Sequence, residues 1–127
     1  MAATIVDPMA NTSLPDELVE LGVKLCLVLA EEARRYAADQ APAIRLEEAV
    51  FTRVTDPANG LPGYEGVWRD ARAQKRGSLT INSDGSYFGE FDVCVLHPSK
   101  PRWFVEAVTV WGSDGVVKAE PRLLAAV

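Results

Sequence analysis

A chain of 127 residues that is 48% hydrophobic and 24% charged has the length and composition of one globular domain, large enough to bury a core without a disulfide or metal staple. Collagen, coiled-coil, disordered-tail and knottin classes are excluded. Eighteen acidic against thirteen basic side chains leave a net charge of −5, which disfavours nucleic acid and anionic lipid as partners but leaves room for a local basic patch.

Residues 1–12 show no basic leader and no signal-like apolar run, so they read as a flexible N-terminal stretch before a single domain over 13–127, with a cytoplasmic location expected. Nine Arg against four Lys, with abundant Ala, fit a high-GC bacterial genome. Leu18 to Ala30 is the most apolar stretch, yet Glu20 and Lys24 interrupt it and it is too short to span a bilayer. A core helix is expected there, and no membrane partner. Cys26 and Cys94 have small apolar neighbours and are expected as reduced core residues.

The helix comes first in chain order. Ser13 offers a capping hydroxyl, Pro15 suits the first turn, and Asp16 and Glu17 complement the positive helix end. The spacing predicts a helix to about Asp39. Leu14, Leu18, Leu21, Leu25, Val28, Leu29 and Tyr36 keep a period near 3.6, and Val19, Val23, Cys26, Ala30, Ala33 and Ala37 widen the stripe. On the polar side Glu20 with Lys24 and Glu31 with Arg35 stand at i, i+4 spacing, and Leu27 is the odd apolar residue.

After Pro42 the period becomes 2. Residues 46–54 predict a first strand around Val50, Thr52 and Val54, whose place at the sheet edge the sequence leaves open. Asp56 to Gly63 is a loop, and strands follow at about 64–69, 75–82, 86–96, 102–111 and 116–122. One long N-terminal helix packed on a five- or six-stranded antiparallel meander sheet is an α+β roll. In element order, with no shared motif, it resembles the cystatin-like and nuclear-transport-factor-like rolls. That resemblance implies a pocket between helix and sheet, or dimerisation through the sheet.

Two turns, 82–86 and 112–116, centre on Ser-Asp-Gly. A three-residue loop with Gly in the left-handed position pairs Ile81 with Tyr87, Leu79 with Gly89 and Gly77 with Phe91, which puts the apolar residues on one face. The same loop at the second turn pairs Trp111 with Val117 and Thr109 with Ala119, and Val95 is expected opposite Trp103. The helix-facing side then holds Leu79, Ile81, Tyr87, Phe91, Val93, Val95, Trp103, Val105, Ala107, Trp111, Val117 and Ala119. The outer face gains a row Arg76, Asp92, Glu106, Arg122, followed by the row Ser78, Glu90, Val108, Glu120 and then by Thr80, Phe88, Val110, Lys118. With Phe104 as well, that face is more apolar than a solvated surface needs.

The outer face is the primary candidate site. Phe88, Glu90, Asp92, Phe104, Glu106 and Val108, with Leu27 on the helix, would form the docking surface of a small non-enzymatic protein. The partner would be a second copy, giving a homodimer, or a basic protein, as for a toxin-neutralising protein. The alternative is a small-molecule-binding roll with a pocket lined by Tyr64, Trp68, Tyr87, Trp103 and Trp111. Whether Trp68 lies over Gly77 or against Arg76 is left open.

Catalysis finds little support in these residues. Asp92 and Glu106 could act as general acid and base, but no nucleophile is within reach, and Arg76 and Arg122 are expected to lower both pKa values. Cys94 and His97 fall on opposite faces of a regular strand, and one Cys with one His is short of a zinc site. No catalytic residue, metal or cofactor is expected. Arg69, Arg72, Lys75 and Arg76 beside Trp68 make a basic hairpin of the kind that grips single-stranded nucleic acid, but no Gly-rich loop, aromatic pair or helix-turn-helix accompanies it. A solvated turn is the expectation.

Overall fold

Among the described residues six strands follow one α-helix and two single 3-10 turns, Ala38–Gln40 and Leu46–Glu48, and the change from a 3.6-residue to a 2-residue period marks the boundary. The computed structural model describes residues 13–125, and the expected flexible stretch 1–12 lies outside the described residues. The helix is α1 (Asp16–Ala37); the strands are β1 (Val50–Thr55), β2 (Pro62–Arg69), β3 (Lys75–Asn82), β4 (Ser86–Leu96), β5 (Trp103–Ser113) and β6 (Val116–Ala125). All six form one antiparallel sheet in sequence order, so the first strand does join it, at an edge beside β2. Among the described residues no helix is long and apolar enough to cross a membrane.

The helix start differs from the sequence reading. Pro15, with extended backbone (φ −56°, ψ 146°), is the cap residue, and its ring has no acceptor, so the cap lacks a side-chain hydrogen bond and Ser13 does not serve. Leu18 N–H donates to the Pro15 carbonyl at 2.8 Å. Asp16 and Glu17 still occupy the first turn. At the other end Ala38 (φ 35°) donates its N–H to the Arg34 carbonyl. Arg35 turns to the buried Glu32, 3.5 Å away, rather than to Glu31. Val19 and Val23, expected in the core stripe, are exposed, and with Leu27 (63% exposed) they line an i, i+4, i+8 strip.

Leu25, Leu29 and Ala33 of α1 pack in one core with Leu79, Ile81, Tyr87 and Phe91. The β3–β4 register is the expected one, with Ile81 opposite Tyr87 and Gly77 opposite Phe91. Trp68 lies opposite Gly77 and is 3% exposed, its ring edge-on to Phe91 at 5.6 Å. Its indole N–H donates to the Arg45 carbonyl at 2.8 Å, which satisfies the one polar atom that burial would otherwise strand.

On β5 the expected register is off by one. The second turn closes over two residues, Asp114 (φ 50°) and Gly115 (φ 83°), in place of three. Gly112 therefore faces Val117, and Trp111 faces Lys118. On the other side Phe91 meets Val108, and Val95 meets Val105 rather than Trp103. Val108 and Val110 enter the core beneath the helix, while Ala107 and Trp111 turn outward.

Candidate functional site

Three irregularities bend the face away from α1 at one level. Between the β2 and β3 pairs Trp68 with Gly77 and Arg69 with Lys75, Arg76 is an extra residue. On β4, Val93 and Cys94 stand between the pairs Asp92 with Ala107 and Val95 with Val105. On β5, Glu106 is extra against β6. Such bulges re-aim side chains and sharpen strand twist. Cys94, at φ 56°, is turned into solvent as a free thiol with its Sγ 3.7 Å from the Glu106 carbonyl, so it is no core residue; Cys26 is buried. Burial, aided by the negative field of Glu47, pushes the Cys26 thiol up to about 12.

The bulges gather the predicted charges in a different pattern. Arg122 donates from Nη1 to Glu90 at 2.6 Å and from Nε to Glu106 at 2.7 Å, clamping two carboxylates on two different strands. Those bonds hold the guanidinium even more firmly in its charged form. Asp92, by contrast, faces Ala107, not Glu106. Arg76 points Nη2 at the Asp92 backbone carbonyl at 3.5 Å and lies 5.7 Å from the Phe91 ring. The Asp92 carboxyl is raised above its usual range: burial dominates, Glu90 and Glu106 add to it, and Arg76 and Arg122 oppose it. The expectation that the arginines would lower it is thus corrected, because desolvation outweighs them.

Apolar side chains flank the charges on both sides. Phe88 is exposed and lies opposite Trp111, and Thr80 and Lys118 extend that row. Beyond the bulges, Leu96, Phe104 and Leu124 form a second row in which Leu96 is 66% exposed. Of the six residues expected to bind a partner, Phe88, Glu90, Asp92, Phe104 and Glu106 share this face. Val108 does not, since it is fully buried in the core. Leu96 and Leu124 escaped the sequence reading, and Trp111, expected on the helix-facing side, lies on the outer face; a two-residue second turn was the signal that would have placed it there. A trough of about 370 Å³ adjoins Phe88, walled by Val54, Thr55, Asp56, Pro57, Glu65, Thr80 and Asn82.

The aromatic set expected around a ligand is dispersed. Trp68 and Tyr87 are core residues, and the Tyr87 hydroxyl donates to the Val116 carbonyl. Trp103 is exposed at the start of β5, Trp111 is on the outer face, and Tyr64 lines a separate cavity of about 170 Å³ with Leu18, Arg53 and Ile81. The His97 ring rests on Tyr36 at 5.2 Å, and its Nδ1 accepts the N–H groups of Ser99 and Lys100, both at 3.1 Å, so it ties a turn. In the basic hairpin, Asp70 accepts the N–H groups of Arg72 at 2.8 Å and Gln74 at 3.0 Å, and Arg69 donates to the Ala73 carbonyl. Among the described residues no group of three or more His, Cys, Asp or Glu side chains could hold a metal ion. Comparison with protein-family models, curated proteins and solved structures yields no match.

Proposed function

We propose that the chain is a small cytoplasmic, non-enzymatic protein-binding domain that docks a basic protein on the outer face of its sheet. The trough beside Phe88 carries this reading. Its walls join apolar surface from Val54, Pro57 and Phe88 to the carboxylates Asp56 and Glu65, which suits the alkyl stem and charged head of an inserted Lys or Arg. Across the rest of the face Glu90, Asp92, Glu106 and Glu120 outnumber Arg76, Lys118 and Arg122, so the field steers a cationic partner inward.

The test is capture from a cell lysate by the immobilised chain and by the double variant Glu65→Arg with Asp92→Arg, which reverses one carboxylate of the trough and one of the face beside it, each checked for native circular dichroism. Basic proteins retained by the first at low salt should be absent from the second and should elute as salt rises. Equal retention by both would overturn the assignment.

A further inference from the structure

The two edges of the sheet are protected differently. β6 carries Pro121, with Lys118, Glu120 and Arg122 alternating around it, and proline and charge both discourage strand addition. β1 reads VFTRVT, with no proline and one charge. Asp56 donates its N–H to the Leu61 carbonyl at 2.8 Å, so it belongs to the series bonded to β2. By the alternation of an antiparallel ladder, Val54, Thr52 and Val50 also direct their backbone groups to β2, while Phe51, Arg53 and Thr55 direct theirs to the open edge. Among the described residues no strand pairs there.

A groove of about 380 Å³ lies above this edge on the helix side. Leu14, Val19, Val23, Leu46 and Phe51 make it apolar, and Glu47 contributes a carboxylate. Val19 and Val23 are exposed beside it, and Val50 is exposed on the strand. A basic group with a long apolar stem matches such a groove, and β1 itself carries one in the exposed Arg53.

We propose that a second copy of the chain adds to β1 in antiparallel fashion across a two-fold axis at Thr52, laying its Arg53 into this groove beside Glu47. The faces and charges select the register. Side chains must keep their faces, so the axis passes through a residue rather than between two. An axis at Arg53 would set two guanidinium groups opposite each other, which is repulsive. An axis at Phe51 would overlap the strands over only Val50 to Thr52. At Thr52 the overlap runs from Val50 to Val54. Val50 then pairs with Val54, Phe51 with Arg53, and the outward groups of Phe51 and Arg53 make reciprocal backbone hydrogen bonds at both ends. The surface is the open edge of β1 with its helix-side groove, which adjoins the outer-face trough only at Val54 and Thr55, and the occupant is the chain itself.

Sedimentation of the full chain over a range of concentrations, combined with cross-linking, tests this. The wild type is expected at twice 13.8 kDa. Arg53→Glu should weaken the dimer by about tenfold or more through repulsion from Glu47, and adding Glu47→Arg should restore it. Thr52→Cys in a Cys94→Ala background should oxidise to a covalent dimer, because residues facing each other on the axis approach to about 4.5 Å between Cα atoms. Thr55→Cys in the same background should stay monomeric on a denaturing gel. A wild type that sediments as a monomer at every concentration overturns the proposal, as does a dimer insensitive to Arg53→Glu. A dimer dispersed by Phe88→Asp instead would assign self-association to the outer face. Loss of basic-protein capture with the dimer intact would leave the two surfaces independent, as proposed.

Discussion

The β3–β4 and β5–β6 hairpins share the tripeptide Ser-Asp-Gly and fold it in two ways. In the first, only Gly85 takes a positive φ (89°), and polar flanks hold the loop: Asp84 accepts the Ser86 N–H at 2.9 Å and its hydroxyl at 2.6 Å, while Asn82 donates to the Ser86 oxygen at 3.1 Å. In the second, Gly112 and Val116 stand where Asn82 and Ser86 stood, and both Asp114 and Gly115 take positive φ. Identical loop residues therefore do not determine turn type, and the flanking pair is what differs at the two ends of the tripeptide. The consequence is one residue of register, which sends Val108 and Val110 into the core and Trp111 to the open face.

The sharpest way to break this contrast is Gly112→Ala. Gly112 has φ 152°, and a Cβ there would collide with the Val116 carbonyl, the acceptor of the Tyr87 hydroxyl. Backbone strain and overpacking together should cost about 3 kcal/mol by urea denaturation. A cost below about 1 kcal/mol would show that the second turn reshapes freely and that Gly112 does not set the register. Gly85→Ala should cost less, about 1.5 kcal/mol, because its Cβ would meet only the Asp114 carboxylate, at 3.2 Å, and the penalty is that of the left-handed backbone. Equal costs at the two glycines would erase the distinction between the turns.

The same contrast separates what the sequence discloses from what it conceals. Helix and strands were legible because Leu25 and Leu29 keep a helical period and Leu79, Ile81, Tyr87 and Phe91 alternate cleanly. The β3–β4 register followed from matching those faces. On β5 the matching failed because Ala107, Val108, Thr109 and Val110 are all buried, so alternation no longer marks a face. The bulges at Cys94 and Glu106 carry no glycine to announce them, and Trp68 is oriented by the Arg45 carbonyl, 23 residues away in sequence. The candidate face was therefore found in outline, from Phe88, Glu90 and Asp92, while the clamp by Arg122 depends on a bulge that only tertiary structure shows.

Arg122→Met tests that clamp. Arg122 is partly exposed and bridges Glu90 and Glu106 across the site that the shifted register creates. The loss should be about 0.5 to 1 kcal/mol at low salt and should shrink as salt screens the pairs. A loss unaffected by salt would show that the two ion pairs contribute nothing and that the difference lies in how the methionine sits over the fully buried Ala107, to which residue 122 is paired.

The smallest effects lie in two carboxyls that the turns and registers shift in opposite directions. Hydrogen bonds from the Ser86 hydroxyl and backbone hold Asp84 below its usual range. Its folded-state pKa is depressed, so its contribution to stability is present above the ordinary carboxyl value and disappears as pH falls through the lowered one. Wild type should then be more stable than Asp84→Ala at pH 7, with the gap closing in acid. Asp92 is raised, chiefly by burial, so its stabilising contribution is complete below the ordinary value and is lost as pH rises through the raised one. Asp92→Asn should accordingly be more stable than wild type at pH 7, and this advantage should fade below about pH 4. Thermal unfolding of the three proteins between pH 3 and pH 7 reads both signs at once. If the two variants moved in the same direction with pH, Asp92 would be stabilised as a charged group, and the cause would be the arginines rather than its burial between the bulges.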